Sequence, residues 1–183
     1  MNRITLLYLL VLGVILSACR ERNTLAHVER MLGEKITLNL NQMIRVDSST
    51  NNTYDSSLYT IVCYYDSAEC QTCASDKLYL WNNFMKKWEG QQKLDYIFIF
   101  CPSSNSHQYL QTFLEGKNEK KNIYIDTLHI FERMNPFLPK PAMYHTMLVD
   151  NNDWRVKLVG DPRRNKMTEN LFCKIIKGNQ TEQ

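Results

Sequence analysis

The stretch Leu94 to Phe100 is apolar at every position except Asp95. A short, nearly continuous apolar run of this kind reads as a central strand covered on both faces, which demands helices above and below it. The chain supplies them in alternation. Leu58 to Tyr65 is a second apolar and β-branched run with the composition of a buried strand. From Cys73 the period changes: Leu78, Trp81, Met85 and Trp88 recur at three- and four-residue steps, with Phe84 alongside, as one apolar stripe on a helix. After Phe100 a helix is expected to bury Tyr109, Leu110, Phe113 and Leu114 and to stop at Gly116.

The rest of the chain continues the pattern. Ile123 to Ile125 is a short strand and Thr127 to Met134 one or two helical turns, while Pro136, Pro139 and Pro141 keep Asn135 to Pro141 out of both element types. Met143 to Val149 and Trp154 to Val159 form a hairpin around the turn Asp150 to Asp153, and a helix from about Asn165 to Lys177 turns Leu171, Phe172, Ile175 and Ile176 inward. Upstream, Thr24 to Leu32 is a short helix ended by Gly33. Ile36, Leu38, Leu40, Met43, Ile44 and Val46 belong to an extended stretch, and Asp47 to Ser57 is a polar loop. Strands alternating with helices pair in parallel through right-handed crossovers, and the hairpin adds an antiparallel edge. The fold class is therefore α/β, a mixed sheet flanked by helices with an N-terminal extension.

Composition limits the function classes. A chain of 183 residues with 44% hydrophobic residues is enough for one globular domain, not a collagen-like or disordered chain. Its 22 Lys and Arg against 19 Asp and Glu leave no strongly basic footprint for nucleic acid. At the N-terminus, Arg3 precedes the apolar run Ile4 to Leu16, too short for a spanning helix, which needs about 20 residues, and suited to a secretory signal. Leu16-Ser17-Ala18-Cys19 resembles a bacterial lipoprotein signal. That resemblance implies cleavage before Cys19, acyl chains of the palmitate type on the new terminus, and a location in the cell envelope, at the periplasmic face or the cell surface. The chain then divides into a signal peptide 1–18, a linker and extension 19–57, a domain 58–178 and a frayed tail 179–183.

Outside the cytoplasm a pair of cysteines becomes a redox question, and Cys70-Gln71-Thr72-Cys73 is such a pair, placed where a strand hands over to a helix. The first amides of a helix lack internal partners and carry partial positive charge, which favours a thiolate. A second Cys three residues on can resolve a mixed disulfide. Glu69, next door, pushes the pKa of the Cys70 thiol the opposite way. The pair reads either as an active dithiol or as a structural disulfide in a binding module. A zinc site built from Cys63, Cys70, Cys73 and Cys101 is a third reading, although structural zinc usually draws on two Cys-x-x-Cys pairs. Cys63 and Cys173 fit small apolar core positions. Cys101 ends a parallel strand, where ligands of open α/β sheets collect, and reads as packing or as a third redox thiol. His27, His107 and His129 have no metal-ligand spacing.

Ile61 to Cys73, Tyr144 to Asp150 and Val156 to Pro162, with the element order, resemble the thioredoxin-like lipoproteins and TlpA/ResA-type thiol-disulfide oxidoreductases of Bacteroidetes-type bacteria. The resemblance implies a thioredoxin-like fold in which Cys70 attacks a disulfide and Cys73 resolves it. It implies no diffusible cofactor and no metal, because the dithiol is itself the redox centre. The partners implied are protein thiols or disulfides and a membrane or thioredoxin-like electron donor. Three positions depart from the family pattern. Glu69 stands where Trp is common, and Tyr64 where a buried acid or amide lies six residues before the first Cys. Tyr144 or His145 occupies the place of a cis-Pro facing the pair, which makes them substrate-facing or tuning candidates. The alternative function is a non-catalytic thioredoxin-like binding module.

Overall fold

A computed structural model describes residues 25–46, 57–67, 78–88, 94–103, 107–115 and 122–178. Residues 25–31 form helix α1, and strand β1 follows at Ile44–Arg45. The chain continues through β2 (Tyr59–Tyr65), α2 (Tyr79–Trp88), β3 (Leu94–Phe100), α3 (His107–Glu115), β4 (Asn122–Ile125), α4 (Ile130–Met134), β5 (Thr146–Asp150), β6 (Val156–Val159) and α5 (Lys166–Gly178). The six strands make one sheet in the order β1-β4-β3-β2-β5-β6. Its centre is parallel, with Tyr59 opposite Leu94 through Tyr65 opposite Phe100, and Ile97 opposite Asn122 through Phe100 opposite Ile125. Strands β5 and β1 run antiparallel to β2 and β4, and β6 is antiparallel to β5.

Topology decides which helix covers which face. The chain steps from β2 to β3 to β4 in one direction, so right-handed crossovers put α2 and α3 on the same side. The return from β4 to β5 crosses to the far side of β2 and places α4 on the opposite face. Side-chain alternation along the strands then builds two cores. Ile61, Cys63, Phe98, Phe100, Ile123 and Leu148 pack with Trp81, Phe84, Leu110, Phe172 and Ile176. Val62, Tyr64, Ile97, Ile99, Cys101 and Val149 pack on the other face with Met31, Ile36, Ile130, Phe131 and Tyr144. The apolar run of β3 is thus buried on both faces, from Tyr96 to Phe100. Residues upstream of the polar loop enter both cores, Val46 in the first and Met31, Ile36 and Met43 in the second.

The sequence expectations fail where an apolar residue lies outside the contact stripe. Tyr109 is 64% exposed and stacks on its neighbour Phe113, leaving only Leu110 and Leu114 buried in α3. Leu171 is 44% exposed, because the stripe of α5 is centred on Phe172 and Ile176, one turn apart. Both hairpin strands start later than expected, while the first runs one residue further, to Asp150. Ala142–Tyr144 form a 3-10 turn closed by Tyr144 N–H donating to Pro141 O, so the strand begins at Thr146 rather than Met143. Trp154 has φ 59°, a left-handed turn conformation, and β6 starts at Val156. The extended stretch from Ile36 to Val46 is interrupted by a 3-10 turn at Leu40–Gln42 and contributes only the two-residue β1.

Asn135 ties this upstream segment down. Its Oδ1 accepts from Thr37 N–H at 2.9 Å, and its Nδ2 donates to Thr37 O at 2.9 Å and Phe131 O at 2.7 Å. The residue is fully buried, so Asn135→Ala takes both partners from the half-buried Thr37 backbone. We expect a loss of about 2–3 kcal/mol, read as a lower urea midpoint at unchanged slope.

Candidate thiol site

Strand β2 ends at Tyr65 and α2 begins at Tyr79, so Cys70-Gln71-Thr72-Cys73 falls in the β2–α2 connection. Cys70, Cys73 and Glu69 lie outside the described residues, as do Cys19 with the signal segment, the helix stop at Gly116, most of the polar loop and the tail. The described residues define the frame of that connection. Asp66 and Ser67 lead out of β2, and Cys101, just past β3, donates its N–H to Tyr65 O at 2.8 Å. Tyr65 stacks on Phe100 with ring centres 4.6 Å apart. Both features lie at the carboxyl end of the parallel strands, where open α/β sheets place their ligands.

His145 belongs to this frame. Its backbone O accepts from Tyr64 N–H at 2.9 Å, and its ring, 4% exposed, lies 5.3 Å from the Tyr64 ring. Nε2 donates to Pro139 O at 2.7 Å, which points Nδ1 at Asp66 Oδ2, 3.6 Å away. The imidazole therefore links the proline-rich segment to the chain that enters the Cys-x-x-Cys connection. Tyr144 packs in the second core, with its ring 5.2 Å from that of His27. Every peptide bond among the described residues is trans.

The three described cysteines are free thiols and occupy different environments. Cys63 sits on the first face of the sheet, and burial pushes its thiol pKa far up. Cys101 sits on the second face. Cys63 and Cys101 are therefore separated by the sheet itself, which removes the common centre that a four-cysteine zinc site would need. Among the described residues no group of three or more His, Cys, Asp or Glu is placed to hold a metal ion. Cys173 is partly buried against the first core, in keeping with packing.

Cys101 has an environment that no sequence spacing announced. Its Sγ lies 3.1 Å from Nδ1 of His129, a residue 28 positions away in the chain. His129 adopts φ 53° at the start of α4. Asp126, fully buried, receives the first amides of that helix, with Ile130 N–H on Oδ1 at 2.9 Å and Phe131 N–H on Oδ2 at 2.8 Å. Burial raises the Cys101 thiol to about 11, against the lowering effect of the Tyr64 hydroxyl.

A second polar lock flanks the first face. Arg163 donates through Nε and Nη2 to Asp161 at 2.9 and 2.7 Å and lays its guanidinium 3.9 Å from the centre of the Trp81 ring. This fixes the β6–α5 turn over α2, the helix that follows the Cys-x-x-Cys connection.

No family model and no curated relative matches the chain by sequence. The fold does have solved counterparts. A thioredoxin-like protein solved in its oxidised form superposes with a TM-score of 0.53 at 13% identity, covering 79% of this chain and 97% of that one. A chain from Chlorobium tepidum assigned as a thiol:disulfide interchange protein DsbE gives 0.51 at 14% identity, over 79% of this chain and 94% of that one. An uncharacterized thioredoxin-like protein from Porphyromonas gingivalis gives 0.50 at 14% identity, over 77% and 90%. The mixed six-stranded sheet with its flanking helices is a thioredoxin-like fold.

Proposed function

We propose that the chain is a lipid-anchored thiol-disulfide oxidoreductase of the bacterial cell envelope, exchanging electrons with protein disulfides through Cys70 and Cys73. The observation that supports the reading is that β2, the strand preceding Cys70-Gln71-Thr72-Cys73 in the sequence, is a central parallel strand of a thioredoxin-like sheet, and that α2 follows the motif. Cys70 as thiolate attacks a substrate disulfide, and the mixed disulfide is resolved by Cys73, leaving a Cys70–Cys73 disulfide and a reduced substrate. Electrons return from a membrane donor or another thioredoxin-like partner. The lipoprotein-type sequence ending at Cys19 supports the anchor. Among the described residues no helix is long and apolar enough to cross a membrane.

The test is a redox titration of the chain carrying Cys19→Ala against glutathione and dithiothreitol buffers, with the thiol state read by alkylation mass shift. A reversible couple between about −120 and −280 mV is expected, and its position in that range sets the direction of electron flow. A disulfide still intact below about −300 mV is structural, and the protein is then a binding module.

A further inference from the structure

We propose that Cys101 is a second reactive thiol, separate from the Cys-x-x-Cys pair, which hydrogen peroxide oxidises to a sulfenic acid with His129 as its proton acceptor and Tyr64 as the donor to the new oxygen. Three observations meet at this sulfur. The first is the short Sγ to Nδ1 contact of 3.1 Å with His129, the nucleophile-and-base geometry of thiol chemistry. The second is Tyr64, 2% exposed, whose buried hydroxyl has no partner of good hydrogen-bond geometry and leans on the Cys101 sulfur alone. It lies close enough to Cys101 that each group shifts the ionisation of the other. A buried donor held only by a thiol sulfur, a weak acceptor, is better satisfied by an oxygen added to Cys101. The third is position, at the carboxyl end of the central parallel strand β3. Its complete burial restricts the reagent to a small one.

The chemistry balances within these groups. The Cys101 thiol gives its proton to His129 Nδ1, and the sulfur electron pair attacks one oxygen of hydrogen peroxide. An S–O bond forms while the O–O bond breaks, and the departing hydroxide takes the proton from His129 to leave as water. The sulfur loses two electrons, the peroxide gains them, and the product is Cys101–SOH. Asp126, Glu132 and Asp66 all bear on this sulfur electrostatically and disfavour a standing thiolate, so the proton must leave as the attack proceeds rather than beforehand.

Cys63 is the internal control. It is as deeply buried as Cys101 and lies in the first core, on the other face of the sheet from His129. The experiment treats the full chain carrying Cys70→Ser and Cys73→Ser with hydrogen peroxide in the presence of dimedone, and locates the adduct by peptide mass spectrometry. This background separates the outcome from the dithiol proposal. Cys101 is expected to label at least tenfold faster than Cys63. His129→Asn, which keeps a residue tolerant of the left-handed conformation, is expected to cut Cys101 labelling at least tenfold at an unchanged circular dichroism spectrum. Tyr64→Phe is expected to shorten the time over which dimedone still captures the sulfenic acid after peroxide is removed. Equal labelling of Cys101 and Cys63 overturns the proposal, as does undiminished labelling in folded His129→Asn. If His129→Asn does not fold, the ratio of Cys101 to Cys63 labelling decides alone.

Discussion

Cys70→Ser is expected to reduce disulfide exchange to the uncatalysed background, whereas Cys73→Ser is expected to leave the attack intact and trap a covalent mixed disulfide with the substrate. The difference follows from the two roles proposed for these cysteines. A Ser hydroxyl cannot supply the thiolate that exchange requires, and without Cys73 no neighbouring thiol releases the substrate. Insulin reduction with dithiothreitol as electron source measures the first effect, and non-reducing electrophoresis of the Cys73→Ser protein with a disulfide-containing substrate measures the second. Full activity in Cys70→Ser would move the chemistry to another cysteine. The framework around the motif is set by residues far from it in sequence, since Asp66 faces His145 across 3.6 Å and Tyr65 is bonded to Cys101. For the same reason His145→Phe, which removes the Nε2 donation to Pro139 O, belongs in the same assay as a probe of motif positioning.

Trp81→Ala is expected to be the most damaging core substitution, at about 3–5 kcal/mol. Trp81 is fully buried at the centre of the first core. Its ring meets Phe98 edge-on at 5.6 Å, Phe84 at 5.7 Å and Tyr96 at 6.2 Å, and the Arg163 guanidinium closes the remaining face. Truncation opens a cavity that four rigid neighbours cannot fill and also removes the cation–π contact. Against a total stability of about 5–15 kcal/mol for a single domain, such a loss brings the midpoint of urea unfolding close to native conditions. Trp81→Phe keeps most of the apolar contact and is expected to lose much less. A Trp81→Ala unfolding free energy within about 1 kcal/mol of the parent would show that α2 is not anchored through this residue.

The contrast between the two cysteines most alike in burial illustrates how far sequence reading reached. Cys63 was legible as a core residue because it sits inside an apolar and β-branched run, and strand alternation puts it on the same face as Ile61 in the first core. Cys101 was legible only as a strand end. Its partner His129 lies across a helix and a strand, and no spacing rule connects them. Tyr109 and Leu171 failed for a related reason: periodicity identifies a stripe, but the width of contact depends on how closely the neighbouring element approaches.

The order of strands and helices, the double-sided burial of β3 and the position of the Cys-x-x-Cys motif after a buried strand were determined by the sequence alone, because each rests on local periodicity and chain order. What tertiary structure decided is which distant groups meet: β1 beside β4 through Ile44 and Ile125, Asn135 on Thr37, His145 on Asp66, and His129 on Cys101. These pairings depend on crossover handedness, strand register and the packing of loops at the sheet edge. Such terms sum over contacts between residues far apart in the chain, and no local window of sequence contains them.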